Sequence, residues 1–158
     1  MTAQGNATFP SRYFRAGVGA VIANKNGLVL ALERSELPGA WQFPQGGWET
    51  NETPDAALFR EVEEETGLTP DRLELIDRYP EPLAYELPQE WRSTKTGLGQ
   101  VQYWFLLRLR DNDMDLALPG DGEFRAWAWM SMDQVVQKTA PFRRALYERL
   151  RERFQNRL

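Results

Sequence analysis

One stretch, residues 46–68 (GGWETNETPDAALFREVEEETGL), constrains this chain more than any other. Thr53 suits a helix N-cap, Pro54 the first helical position, and Gly67 the residue just past the helix end. The residues between them predict a helix of about three and a half turns. Glu61, Glu64 and Glu65 fall at i, i+3 and i+4 and so share one face, while Phe59 and Val62 turn the other way and can bury. Three like charges stacked on one face repel each other. A divalent cation among them relieves that repulsion, because hard cations such as Mg²⁺ take carboxylate oxygens and also bridge phosphates. Without further context, a Glu-rich helix is more often a solvated acidic face.

The surroundings decide between these readings. Gly46 is followed after five residues by Glu52, then after seven by Arg60-Glu61, then by Glu64-Glu65 and Gly67, with aliphatic Val62 and Leu68 in step. In this spacing the chain resembles the Nudix hydrolases. The resemblance implies an α/β fold, an α/β/α sandwich with a mixed central sheet. The length of the chain separately predicts one domain over residues 1–158, with residues 1–11 as a loose tail. The resemblance gives Glu61, Glu64 and Glu65 as metal-binding and catalytic glutamates, with Mg²⁺ or Mn²⁺ as cofactor. Arg60 and Glu52 match the pair that braces the loop against the helix, and Gly46 matches the glycine whose backbone approaches the metal.

Outside this box, Trp41 to Gly47 reads WQFPQGG, Tyr13-Phe14-Arg15 precedes Val18-Gly19, and Tyr85-Glu86-Leu87-Pro88 and Gly99-Gln100-Val101-Gln102-Tyr103-Trp104-Phe105 follow. Together with Glu123-Phe124 before Trp127 and Trp129, these segments resemble the branch holding bacterial RNA pyrophosphohydrolases and asymmetric dinucleoside tetraphosphate hydrolases. That resemblance makes Glu123 an outlying metal ligand, and Arg15, Gln45, Tyr85 and Arg143 contacts for the substrate. The chain departs from the branch at Tyr103, where a Lys is usual. A cation for a distal phosphate then falls to Arg15, Lys95 or Arg143. The Trp127/Trp129 pair reads as core.

Composition narrows the chemistry further. There is no Cys and no His, so thiol catalysis, disulfides and imidazole ligands are excluded and acid–base work falls to carboxylates, Lys, Tyr or metal-bound water. The absence of Cys fits a cytoplasmic setting. No apolar run approaches the length of a membrane span, and the first residues lack the pattern of a signal peptide. A net charge of −4 argues against a broad nucleic-acid surface but leaves room for a local one. Six arginines between Phe142 and Leu158 are the best candidate for it, although such a run is usually a solvated helix face.

Along the chain, Phe14 to Ala23 predicts a buried strand, Asn24-Lys25-Asn26-Gly27 a hairpin turn, and Leu28 to Leu32 the strand that pairs back. Trp41 to Gln45 is expected to be a short strand, Leu73 to Tyr79 and Leu83 to Leu87 two extended pieces, and Pro88 to Gly99 an exposed loop. Gln100 to Leu109 is the strongest strand signal, Asp111 to Gly122 is turn-rich, and Ala126 to Met130 alternates as a strand. Ser131 caps a short helix, and Pro141 opens a last one with Phe142, Leu146, Leu150 and Phe154 at four-residue steps.

The function expected from these readings is Mg²⁺-dependent cleavage of a nucleotide polyphosphate, with the 5′-terminal di- or triphosphate of RNA favoured. A dinucleoside tetraphosphate is the close alternative. A non-catalytic nucleotide-binding regulator is disfavoured because every box glutamate is present, and a cleaner of free triphosphates is disfavoured by the extra motifs. No sequence signal speaks to the oligomeric state.

Overall fold

The structure is a computed structural model and describes residues 12–111 and 116–158. Its strands are β1 (Phe14–Ala23), β2 (Val29–Arg34), β3 (Trp41–Gln42), β4 (Gln45–Gly47), β5 (Leu73–Arg78), β6 (Leu83–Glu86), β7 (Gly99–Leu109) and β8 (Phe124–Met130). The helices are α1 (Pro54–Thr66), α2 (Met132–Lys138) and α3 (Pro141–Phe154). The strands join in one mixed sheet with the spine β3-β2-β1-β7-β5; β4 pairs with β1, β6 with β7 and β8 with β2. β1 and β7 run parallel over their whole common length, from Phe14↔Gly99 to Ala23↔Arg108, and the other pairs are antiparallel.

Alternation along β1 divides two cores. Val18, Ala20 and Ile22 pack with Ala57, Leu58 and Val62 of α1, while Val21 and Ala23 lie in the cluster that holds Val135 and Val136 of α2 and Leu146, Leu150 and Phe154 of α3. The result is the α/β/α sandwich expected from the sequence. Each fully buried Leu, Val or Phe contributes roughly 1.5–3 kcal/mol. Leu58, Val62 and Leu68 therefore clamp α1 to the sheet and hold its acidic side in place. Trp127 and Trp129 pack against the α1-side cluster, as core residues should. Among the described residues, no helix is long and apolar enough to cross a membrane.

Three features differ from the expectation. The hairpin after β1 closes with a single register pair, Ala23↔Val29, and β2 finds its long partner in β8. The edge of β1 facing β2 is already taken, because Gly17, Val18 and Gly19 pair with Gly47, Gly46 and Gln45 of β4. The WQFPQ strand is split at Phe43-Pro44 into β3 and β4, since proline cannot donate to a ladder and Ala20 N–H reaches the Pro44 carbonyl instead. Residues 88–98 are more than an exposed loop. A 3₁₀ turn, Gln89–Trp91, sets Trp91 edge-on to Phe142 of α3, with ring centroids 5.4 Å apart. The expected tail, residues 1–11, and residues 112–115 of the turn-rich stretch lie outside the described residues.

Candidate active site

α1 begins and ends as its sequence predicts. Thr53 Oγ1 accepts from the Ala56 N–H at 3.1 Å, and Gly67 adopts φ 77°, a left-handed conformation open to glycine. These caps set which residues face the loop before the helix. Arg60 is the hub of that face. Its Nε and one Nη donate to both oxygens of Glu52 at 2.8 and 2.9 Å, and the same Nη donates to the Gly47 carbonyl at 2.9 Å. The other Nη donates to Glu61 at 2.9 Å and to Glu64 at 3.4 Å. Glu52 also accepts from the Glu49 N–H, and its backbone carbonyl accepts from the Trp48 indole, so the loop folds back onto Arg60. The arginine holds the Glu52 carboxyl below its ordinary range, and its own pKa rises with Glu52 as the first cause.

The three glutamates of this face have different environments. Glu65 is 6% exposed and accepts the Gln45 N–H at 2.8 Å. Burial pushes its carboxyl well up, and the charges of Glu123 and Glu61 add to the shift. Glu61 is also raised, first by burial, with Arg60 opposing. Glu64 is the exposed member, with its side chain 57% exposed. Gly46 lies directly against Glu61, so a Cβ there would stand 1.9 Å from the carboxyl carbon. Only glycine permits this approach.

Among the described residues, no three carboxylates converge at metal-ligand spacing, because Arg60 draws Glu61 and Glu64 while the Gln45 amide holds Glu65. The donor set nevertheless suits Mg²⁺ or Mn²⁺. It offers carboxylate oxygens only, two of them on desolvated side chains whose charge calls for a cation, beside a cradle that a Cβ would fill.

A cleft of about 590 Å³ is lined by Gly46, Gln45, Tyr85, Glu123 and Arg143 among others. It brings together every expected substrate residue. Arg15 lies over Gly47, close enough that a Cβ at that glycine would meet its guanidinium. Arg143, in the first turn of α3, is 4% exposed and stacks over Phe142 and Tyr85, at 4.7 and 5.5 Å from the ring centroids. Its Nε has no hydrogen-bond partner, and no carboxylate of the described residues pairs with it. Tyr85 is buried beneath Arg143 and Phe142, so its ring face belongs to the protein and is not open to a base. Glu123 pairs with Arg34 at 3.6 Å, and burial raises its carboxyl.

Two expectations change with these positions. Tyr103 stands on the α1 side of β7, edge-on to Trp48 with ring centroids 5.4 Å apart, and does not line the cleft. Its replacement of a Lys therefore removes no cation from the cleft wall. The arginine-rich end of the chain is largely self-neutralised. Arg149 pairs with Glu81, Arg151 with Asp133, and Arg153 and Arg157 with Asp77. Arg144 donates to the carbonyls of Val136, Gln137 and Thr139 at the end of α2. Of this group only Arg143 lines the cleft.

Among the residues to which the sequence assigned no part in the site are Arg34 and Gln100, which line the cleft, and the buried Gln102 behind them, although Gln100 and Gln102 stand in a motif that resembles the branch. Arg34 sits beside the register shift of β2 against β8, which no spacing signals. Gln100 and Gln102 did carry a signal, since two glutamines alternate in an otherwise apolar strand.

The NUDIX domain profile matches residues 13–150, nearly all of the described chain. The chain belongs to the Nudix family. An RNA pyrophosphohydrolase of Erythrobacter litoralis is 38% identical to this Nudix chain over 161 residues, covering 98% of each. An RNA pyrophosphohydrolase of Tolumonas auensis is 40% identical over 147 residues, covering 89% of this chain and 84% of the relative. Among solved structures, the dihydroneopterin triphosphate pyrophosphohydrolase of E. coli aligns with a TM-score of 0.71 at 24% identity, covering 86% of this chain and 95% of that one. An Ap4A hydrolase of C. elegans aligns at 0.68 with 23% identity, covering 87% and 96%. These two structural likenesses speak for the fold.

Proposed function

We propose that this chain hydrolyses the 5′-terminal triphosphate or diphosphate of RNA, leaving a 5′-monophosphate and releasing pyrophosphate or phosphate. One observation carries this reading. A single cleft is lined by Gly46, which lies against Glu61, by Gln45, whose N–H holds Glu65, and by the buried guanidinium of Arg143, which has no ion pair with a carboxylate among the described residues. A polyphosphate, with its cleaved bond beside the carboxylates and further charge on a cation, matches both groups. The RNA pyrophosphohydrolases at 38 and 40% identity support the choice of RNA.

Bound Mg²⁺ would neutralise the polyphosphate and acidify a water molecule. The chain's own part begins with Arg60. Glu52 keeps it by the bidentate contact, and Glu61, Glu64, Glu65, the Gly46 carbonyl and Glu123 would hold the cation. Glu61, whose carboxyl is already raised by burial, takes the proton of the attacking water on a carboxylate oxygen. Arg15 and Gln45 hold phosphate oxygens beside Gly46, and Arg143 holds a further phosphate.

The ion pairs along α3 favour a second reading, because they leave few donors for the phosphates of a longer strand. A dinucleoside tetraphosphate needs fewer. The test offers triphosphorylated RNA, dinucleoside tetraphosphate and free nucleoside triphosphates side by side with Mg²⁺ and identifies the products. The expected result is the highest kcat/KM on RNA, with pyrophosphate as co-product. A higher kcat/KM on the tetraphosphate, giving nucleoside mono- and triphosphate, would assign the second reading.

A further inference from the structure

Behind the cleft lies a chain of side-chain amides of which the catalytic reading uses only Gln45. Gln102 is fully buried in the middle of β7. Its Oε1 accepts from the Trp104 indole N–H at 3.2 Å, and its Nε2 donates to Gln45 Oε1 at 2.9 Å and to Gln100 Oε1 at 3.0 Å. The direction of this chain is dictated by chemistry. An indole nitrogen can only donate, so the atom of Gln102 that faces Trp104 must be the oxygen. The reverse orientation would set two donors face to face at full burial and leave both unsatisfied. With its oxygen committed, Gln102 can offer only its NH₂ to the next two amides, and each must answer with oxygen.

The consequence appears at the cleft. Gln45 and Gln100 both line it, and both have their oxygens turned inward to Gln102. Their NH₂ groups are left for the cleft side, where the Gln45 Nε2 reaches only a long contact of 3.5 Å to the Tyr85 hydroxyl. We infer that Trp104 and Gln102 form a polarity relay that fixes Gln45 and Gln100 as paired neutral donors to the substrate's phosphate oxygens. Gln102 and Trp104 are positioning residues, and Gln100 is a further substrate contact. A phosphate accepts and never donates through its ionised oxygens. A glutamine free to flip would spend part of its time presenting an oxygen to that anion, and the relay removes this option. The relay also steadies the Gln45 backbone, whose N–H holds Glu65.

This inference rests on the reading of the cleft as a polyphosphate site, and its test separates the two. Gln102→Glu keeps the shape and the acceptor for Trp104 and, ionised at pH 8, cannot donate, so Gln45 and Gln100 turn their NH₂ groups inward and their oxygens outward. Affinity for inorganic triphosphate, measured by calorimetry without divalent metal, should fall about tenfold or more, as expected for losing two hydrogen bonds to a charged acceptor. With Mg²⁺, KM should rise by a similar factor on whichever polyphosphate the wild type turns over, with kcat within about twofold. Gln100→Ala, at a partly buried site on the cleft wall, should give a smaller rise in KM, and Trp104→Phe should move KM in the same direction. If all three variants bind inorganic triphosphate as the wild type does and only Tm falls, the amides serve packing and the relay is overturned. If the wild-type protein hydrolyses no polyphosphate offered with Mg²⁺, the cleft reading falls first; if it hydrolyses one but does not bind inorganic triphosphate without metal, the amides are not donors on their own and the relay is overturned.

Discussion

Glu65 is where stability and function pull apart most sharply. Its carboxyl is buried, pushed well above the ordinary 4.5, and faced by the charges of Glu61 and Glu123. A carboxyl whose pKa is raised by folding favours the fold while protonated. That contribution is present below about pH 4.5 and is lost as pH rises through the folded-state value. Glu65→Gln keeps an oxygen for the Gln45 N–H and removes the buried charge. In EDTA its Tm should exceed that of the wild type at pH 8, and the difference should vanish toward pH 4.5. Saturating Mg²⁺ should reverse the order, because only the wild type gains from binding the cation at that carboxylate. A lower Tm for Glu65→Gln at pH 8 in EDTA would show that burial does not disfavour its charge.

At the scale of elements, α1 depends on Arg60 and α3 on a division of labour among its arginines. Arg60→Ala leaves Glu52, Glu61 and Glu64 without their shared donor and frees the loop at Gly47. Hydrogen bonds to charged groups contribute roughly 1.5–3 kcal/mol, so the variant should lose on the order of 2 kcal/mol of stability and bind Mg²⁺ more weakly. An unchanged Tm and metal affinity with a raised KM would make Arg60 a substrate ligand instead. On α3, Arg144 ties down the end of α2 while Arg143 faces the cleft. Arg144→Ala should cost about 1 kcal/mol of stability, read as a lower Tm, and leave the salt dependence of KM for RNA as it was. Arg143→Gln should flatten the log–log salt slope by about 0.7, the value of one phosphate contact to a single strand. The opposite assignment of the two effects would contradict the placement of these side chains.

Across the whole molecule, what the sequence disclosed was what local chemistry decides. The caps of α1, the order of its faces and the apolar run of β7 are all properties of short segments, and each stands where its residues predict. The pairing of β2 was not legible, because it depends on β4 taking the edge of β1 from a position well along the chain. The partners of the terminal arginines were hidden for the same reason, since Asp77, Glu81 and Asp133 come from three separate segments. The site shows the same division. The acidic box declares itself by spacing, whereas the burial of Arg143 and the direction of the amide chain exist only once β4, β6, β7 and α3 meet.

In the function proposed above, the carboxylates of α1, with a divalent cation, cut a polyphosphate at the 5′ end of RNA. The most direct measurement is the fate of 5′-triphosphorylated RNA incubated with Mg²⁺ and either the wild type or Glu64→Gln, with both the RNA end and the released phosphate species identified. The wild type should yield 5′-monophosphate RNA and pyrophosphate, requiring the metal. Glu64→Gln, exposed enough to fold normally, should react at least about 10³-fold more slowly, on the order of 4 kcal/mol in the barrier. A folded Glu64→Gln variant that releases pyrophosphate at close to the wild-type rate would contradict the account.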